Sequence, residues 1–192
     1  MGGGSVQAWG LARHRKARGM STGLPPIGSE IPRSMLAVGA TLEIDGATVQ
    51  VDLRGGIEQR VDVDPDAPHN SVTLRPVGFQ VTGELPDGRT VTLAQADAGA
   101  DSAGALRITQ HLPLKYELLD VVPVTLTLSG PDREDVVAAA ERPLVLVTED
   151  VTQFPTRGDL SSLEAPVAFA ATDAPATVVA RLVTFPVQSG GV

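Results

Sequence analysis

The stretch VGATLEIDGATVQVDL, Val38–Leu53, decides how this chain is read. Asp45-Gly46 is a two-residue type I′ turn signal, because both central positions of that turn need φ > 0. Zipping outward from it pairs Ile44 with Ala47, Leu42 with Val49, Ala40 with Val51 and Val38 with Leu53. These residues share one apolar face, while Thr41, Glu43, Thr48, Gln50 and Asp52 share the other. Turn chemistry and period-two alternation agree on one register, and a slip of one residue would bury the charged face.

A second hairpin follows in PVGFQVTGELPDGRTVTL, Pro76–Leu93. Pro86-Asp87-Gly88 suits a type I turn closed by a glycine in the left-handed region. Pairing outward from Leu85 and Arg89 sets Val77, Phe79, Val81, Gly83 and Leu85 on one face with Val91 and Leu93. Just before it, Ser71–Leu74 reads as a short strand that Pro76 ends or bulges. Gly55-Gly56 reads as a bulge or loop after the first hairpin. Leu106–Leu112 and Val122–Leu128 alternate in the same way, and Leu144–Val147 is an unbroken apolar run. Val167–Ala170 and Thr177–Phe185 read as the last strands. LKYELL, Leu114–Leu119, is ambiguous, and Asp132–Glu141 is the one helix candidate, with Asp132 as its N-cap.

The expected fold is therefore all-β: an antiparallel barrel or two-sheet sandwich of about eight to ten strands with at most one short helix. Residues 1–34 read as a Gly/Pro-rich tail and linker, either a lid or a leader, residues 35–188 as one β domain, and 189–192 as a frayed end. Ser21–Arg33 is the linker proper, Ala94–Ala105 an acidic loop of small residues, and Phe154–Ala165 an irregular segment. MSTGLPP from Met20 has the look of a second start, which leaves 1–19 as leader or docked segment.

Bulk composition narrows the function classes. Hydrophobic residues make up 42% of the 192, but aromatics only 3%, so the core has to be aliphatic. Cysteine is absent, which removes disulfides, thiolate metal sites and a cysteine nucleophile and fits a cytoplasmic protein. No window approaches the roughly 18 apolar residues of a membrane span. Arg13, Arg15, Lys16 and Arg18 lie in the first 19 residues with no acid among them. Removing those four from the 15 bases leaves 11 against 23 acids, a net −12. A body that acidic repels phosphate backbones, so nucleic acid is not the expected partner.

Recognised catalytic patterns are missing. Asp62, Asp64 and Asp66 resemble the start of an EF-hand loop, but Ala67 and Thr73 stand where that loop needs Gly and Glu. A looser metal site of Asp62, Asp64 and His69 competes with the simpler picture of a strand whose aspartates face water before Pro65 and Pro68 turn it. No metal is assigned. No G-x-S-x-G elbow, P-loop or HExxH pair occurs. What remains is a set of polar residues on rows that are otherwise apolar. Gln95 extends the row of Phe79, Gln110 interrupts Leu106-x-Ile108-x-x-x-Leu112, and Arg181 lies between Val179 and Val183. Tyr116 beside Glu117 joins them. These four, Gln95, Gln110, Arg181 and Tyr116, are the candidate ligand-binding residues, because an inward amide, guanidinium or phenol must find a partner.

Three readings follow. The first is a barrel that holds a hydrophobic small molecule, as a carrier or as a cyclase or isomerase that works by positioning its substrate and needs no cofactor. The second is a non-catalytic sandwich that binds another protein or associates with its own copies through a strand edge. The third is a divalent-metal domain built on Asp62–His69. An interior void of about 300 Å³ or more lined by Val and Leu favours the first, and a filled interior with an exposed apolar patch favours the second.

Overall fold

The computed structural model describes residues 23–97 and 102–191. The basic cluster of Arg13, Arg15, Lys16 and Arg18, the Met20 start, the tip of the acidic loop at 98–101, and Val192 lie outside the described residues. The described chain forms thirteen strands: β1 (Glu30–Ile44), β2 (Ala47–Val63), β3 (Ser71–Glu84), β4 (Thr90–Gln95), β5 (Gly104–His111), β6 (Leu114–Val122), β7 (Val124–Gly130), β8 (Arg133–Ala140), β9 (Leu144–Val151), β10 (Arg157–Leu163), β11 (Val167–Ala171), β12 (Val178–Thr184) and β13 (Val187–Gly191). No helix among them is long and apolar enough to cross a membrane.

The fold is all-β and antiparallel, and its pairings close two rings that share three long strands. β1, β2 and β3 form a common wall. One ring continues from β3 through β4, β7, β8, β11 and β12 and returns to β1. The other continues from β3 through β5, β6, β9, β10 and β13 and also returns to β1. Each ring thus has eight strands, and we call them the first and second barrel. Closure removes the open edges that antiparallel sheets otherwise expose.

Two bulges make this sharing geometrically feasible. β1 pairs with β13 over Arg33–Ala37 and with β12 over Thr41–Ile44. Between these spans its register on β2 shifts, so that Ala37 opposes Leu53 and Ala40 opposes Val51. Gly39 sits in that shift at φ +68, and its N–H donates to Asp52 Oδ1 at 2.8 Å. On β3, Ser71–Leu74 pair with β5 and Gln80–Glu84 with β4. There Gly78 opposes Glu58 and Pro76 opposes Gln59, which leaves Val77 as the extra residue. A bulge kinks a strand and increases its twist, and at these two points each outer strand of the wall changes barrels.

The first hairpin forms as expected around Asp45 (φ 51) and Gly46 (φ 78), with Ile44–Ala47, Leu42–Val49 and Ala40–Val51 in register. Val38 departs from expectation: the bulge turns it outward, 60% exposed, and Ala37 takes its place opposite Leu53. Val77 is displaced in the same way, to 46% exposure. Pro76 bulges β3 without ending it, so Ser71–Leu74 and the second hairpin are one strand. Gly55-Gly56 lies mid-strand in β2, where neighbouring backbone approaches closely; a Cβ on Gly55 would stand 1.9 Å from the Gln80 carbonyl oxygen.

Other expectations are corrected. The count rises from eight to ten strands to thirteen because the barrel is double. The helix expected at Asp132–Glu141 is strand β8, which covers the edges of β7 and β11 that a helix would leave unpaired. β10 and β13 occupy segments read as irregular or frayed, and β1 begins at Glu30, inside the segment read as linker. Leu114–Leu119 belongs to β6.

Two hydrophobic clusters fill the interior. The larger runs through the first barrel and the middle of the molecule, with Leu42, Leu53, Leu93, Leu126, Phe169 and Leu182 at 0% exposure. The smaller fills the far end of the second barrel around Val61, Leu74, Leu106, Leu118 and Tyr116.

Candidate functional site

β1, β2 and β6 each carry one inward polar residue in an otherwise apolar row, and all three meet inside the second barrel. Arg33 stands between Ile31 and Met35, Gln59 between Ile57 and Val61, and Asp120 between Leu118 and Val122. Alternation alone sends them inward, since residues two apart share a face. Arg33 is 1% exposed, and Gln59 and Asp120 are fully buried.

Their contacts centre on one oxygen and one nitrogen. Arg33 Nη2 donates to Asp120 Oδ1 at 2.5 Å and to Gln59 Oε1 at 2.7 Å. Gln59 Nε2 donates to the same Asp120 Oδ1 at 3.0 Å. Arg33 Nε and Nη1 and Asp120 Oδ2 have no hydrogen-bond partner among the described residues. The guanidinium lies over the Phe154 ring, 5.7 Å from its centroid, within cation–π range. Elsewhere in this barrel, Thr148 and Ser161 hydroxyls are 2.7 Å apart across β9 and β10, and Ser189 Oγ on β13 is buried without a protein partner. A polar belt thus lies in the second barrel, next to its apolar end.

That end is closed by a strap ahead of β1. Gly28 N–H donates to Val61 O and Val61 N–H to Ser29 O, at 2.7 and 2.9 Å, which ties the strap to β2. Leu24 packs on the smaller cluster together with Leu114 and Phe154. The Tyr116 hydroxyl donates to the Gly23 carbonyl. Gly23 itself sits at φ +83, a backbone conformation that favours glycine, and a Cβ there would also press on Leu114 Cδ2 at 2.8 Å. Burial pushes the Tyr116 phenol above its ordinary value of 10.0.

Of the four residues singled out in the sequence, only Tyr116 belongs to this interior. Gln95 is half-buried; its Nε2 donates to Pro76 O at 3.1 Å, bracing the β3 bulge, and its Oε1 has no protein partner. It lines an open concavity of about 820 Å³ on the outer face of the wall, with Glu58, Gln80 and Asp97. Gln110 is exposed and ties its own turn, Nε2 to Leu112 O at 2.8 Å. Arg181 is exposed too, because Ala180 and Leu182 take the inward row of β12. It borders another open concavity, of about 470 Å³, with Glu43 and Asp45. We take the buried belt over these shallow outer concavities as the candidate site, because the unpartnered charged groups lie there.

The Asp62–His69 corner is organised by arginines. Arg60 Nε donates to Asp62 Oδ1 at 3.2 Å and Arg75 Nε to Oδ2 at 2.8 Å. These contacts, Arg60's hydrogen bond foremost, hold the Asp62 carboxyl below its ordinary range. Asp64 Oδ1 accepts the Asp66 N–H within its own turn. Among the described residues no three acidic or histidine side chains converge on a metal position.

Arg33, Gln59 and Asp120 escaped the sequence reading. Gln59 and Asp120 obey the rule that selected Gln95 and Gln110, a polar residue on an apolar row, while Arg33 was concealed in a segment read as linker.

No protein-family model matches the chain, and no curated protein does. Among solved structures it is similar to DynF from the dynemicin biosynthesis pathway of Micromonospora chersina. The two superpose with a TM-score of 0.69 at 17% sequence identity, over 87% of this chain and 82% of that one. At that identity the likeness establishes a common fold.

Proposed function

We propose that the chain holds a small, largely apolar molecule in the second barrel, with the molecule's polar end against Arg33, Gln59 and Asp120. The observation that carries this reading is the set of buried hydrogen-bonding atoms left without partners among the described residues, Arg33 Nε and Nη1 and Asp120 Oδ2. Such atoms are costly to bury unmatched, at about 1–3 kcal/mol each and more for charged groups. A ligand head supplies the missing partners, and the aliphatic cluster around Leu106 and Leu118 supplies the apolar surroundings. The fold shared with a protein of a biosynthesis pathway is consistent with this. In its catalytic form the same reading is cyclisation or isomerisation without a cofactor. The closed barrel then fixes the substrate's pose, and the Arg33 donors polarise a carbonyl.

The smaller cluster fills the second barrel, the outcome that by itself favours the protein-binding reading, so admission of a ligand requires the strap and the packed side chains to move. Leu24 and Phe154 pack over the apolar end, so a ligand enters as they swing away from it. N-phenyl-1-naphthylamine, a neutral dye that brightens in apolar surroundings, tests the reading. Saturable uptake by the wild type is expected, with loss of uptake in Leu118→Trp, whose added bulk takes up the room a displaced strap would open in the smaller cluster. Absence of uptake, or uptake unchanged in a folded Leu118→Trp protein, contradicts it.

One observation favours the second reading, a protein-binding surface. Leu160, Gln188 and Leu36 lie in one row across β10, β13 and β1, with Leu160 60% and Leu36 37% exposed. Pull-down or sedimentation of a Leu36→Glu/Leu160→Glu variant against wild type addresses it.

A further inference from the structure

We infer that the molecule taken into the second barrel carries an uncharged head that presents a hydrogen-bond acceptor and a donor side by side, as a primary carboxamide does, and is not a carboxylate. The inference rests on the function proposed above and narrows it to a ligand class. Arg33 and Asp120 already neutralise one another through the Nη2–Oδ1 contact, and both side chains are 0% exposed. What they leave over is of both kinds. Arg33 Nε and Nη1 are donors, and Asp120 Oδ2 is an acceptor.

A carboxylate would satisfy the donors but set a second anion beside Asp120. Among the described buried polar residues, Arg33 and Asp120 are the only charged ones, so no further cation stands ready to balance it. An ion brought into such an interior without a counter-charge is far more costly than a neutral polar group. An acceptor alone, such as a ketone, would leave Asp120 Oδ2 unmatched. A carboxamide answers both: its carbonyl accepts from Arg33, and its N–H donates to Asp120 Oδ2. The Phe154 ring beneath the guanidinium belongs to the apolar end, so the tail of the ligand runs from the head into that cluster.

Three probes separate the alternatives: decanamide, sodium decanoate and 2-undecanone, each displacing N-phenyl-1-naphthylamine. At pH 7.5 decanamide is expected to bind about tenfold more tightly than either of the others. In Asp120→Asn the Arg33 charge loses its counter-ion, and decanoate is expected to overtake decanamide. Decanoate binding as tightly as decanamide to the wild type overturns the inference, as does an unchanged ranking in a folded Asp120→Asn protein. Should that variant not fold, decanoate affinity between pH 7.5 and 5 serves instead. Affinity that strengthens as the acid becomes protonated supports the neutral head, and affinity that weakens or stays level overturns it. Dye uptake with a preference for decanoate sinks this inference alone, whereas a barrel that admits neither dye nor probe sinks the proposed function with it.

Discussion

The Arg33 guanidinium meets Asp120 through a single nitrogen, with Nη2 donating to Oδ1 at 2.5 Å across 87 residues of sequence. The contact joins β1 to β6, strands that do not pair with each other, through the interior of the second barrel. It also leaves much of both groups' hydrogen-bonding capacity unused.

Truncating one member is therefore expected to cost far more than replacing the group. Asp120→Ala strands a buried cation and should destabilise the protein by about 3–5 kcal/mol. Arg33→Met/Gln59→Leu/Asp120→Leu removes every member of the cluster, and should return stability to within about 2 kcal/mol of wild type or exceed it. Urea denaturation of the two variants checks this. A triple variant no more stable than Asp120→Ala would mean that the cluster is a structural necessity and not a retained site.

Tyr116 is the chain's one tyrosine, so its ionisation can be read alone from phenolate absorbance near 295 nm. Its phenol is raised above 10.0 by burial, and the protonated form is the one that donates to Gly23. A folded-state value above the unfolded one stabilises fully below pH 10 and is lost as pH rises through the folded value. The absorbance midpoint is accordingly expected above pH 10, with dye uptake becoming faster over the same range. Tyr116→Phe should show the faster uptake at neutral pH and lose about 1 kcal/mol of stability.

Gly55 and Gly78 lie on neighbouring strands, three register positions apart, and face different surroundings. A Cβ on Gly55 meets the Gln80 carbonyl oxygen at 1.9 Å, whereas on Gly78 the nearest atom is Glu58 Cβ at 3.9 Å. Gly55→Ala is expected to destabilise by about 1–3 kcal/mol or more, through forced backbone displacement. Gly78→Ala should change stability by less than about 1 kcal/mol. Thermal melts of the pair distinguish a wall that depends on this close approach from one that does not.

Acid should weaken the corner after β2 only below the ordinary carboxylate range. Asp62 is held below its ordinary value of 3.8 by Arg60 and Arg75, so its contribution is present above that value and is lost as pH falls through the lowered one. Because these side chains are largely exposed, the effect is expected to be small and sensitive to salt. Asp62→Asn should lower stability slightly at pH 7, where the ionised carboxylate contributes, and flatten the stability profile below pH 4.

The hairpin at Val38–Leu53 was legible because two independent signals agreed on it, and three of its four pairs formed as read. The fourth failed at Gly39, since a bulge preserves the apolar character of a strand while reversing which residues face inward. The double ring was not legible. It depends on β1 and β3 exchanging partners midway, and no local pattern specifies pairing between segments as distant as Arg33–Ala37 and Val187–Gly191. On β12 both rows are largely apolar, with Arg181 on one and Thr184 at the end of the other, so alternation alone did not fix which row is inward. Gln59 and Asp120 were within reach of the rule applied to Gln95. They were overlooked because charged neighbours, Glu58 and Arg60 in one case, gave their segments a polar look.

Crystallisation of the full chain with decanamide tests the central claim most directly. The account predicts the ligand inside the second barrel, its carbonyl oxygen about 3 Å from Arg33 Nε or Nη1 and its amide nitrogen about 3 Å from Asp120 Oδ2, with Leu24 and Phe154 moved outward from the strap's closed position. An unmoved strap over a packed interior, with ligand only in the outer concavity lined by Gln80 and Gln95, would contradict it.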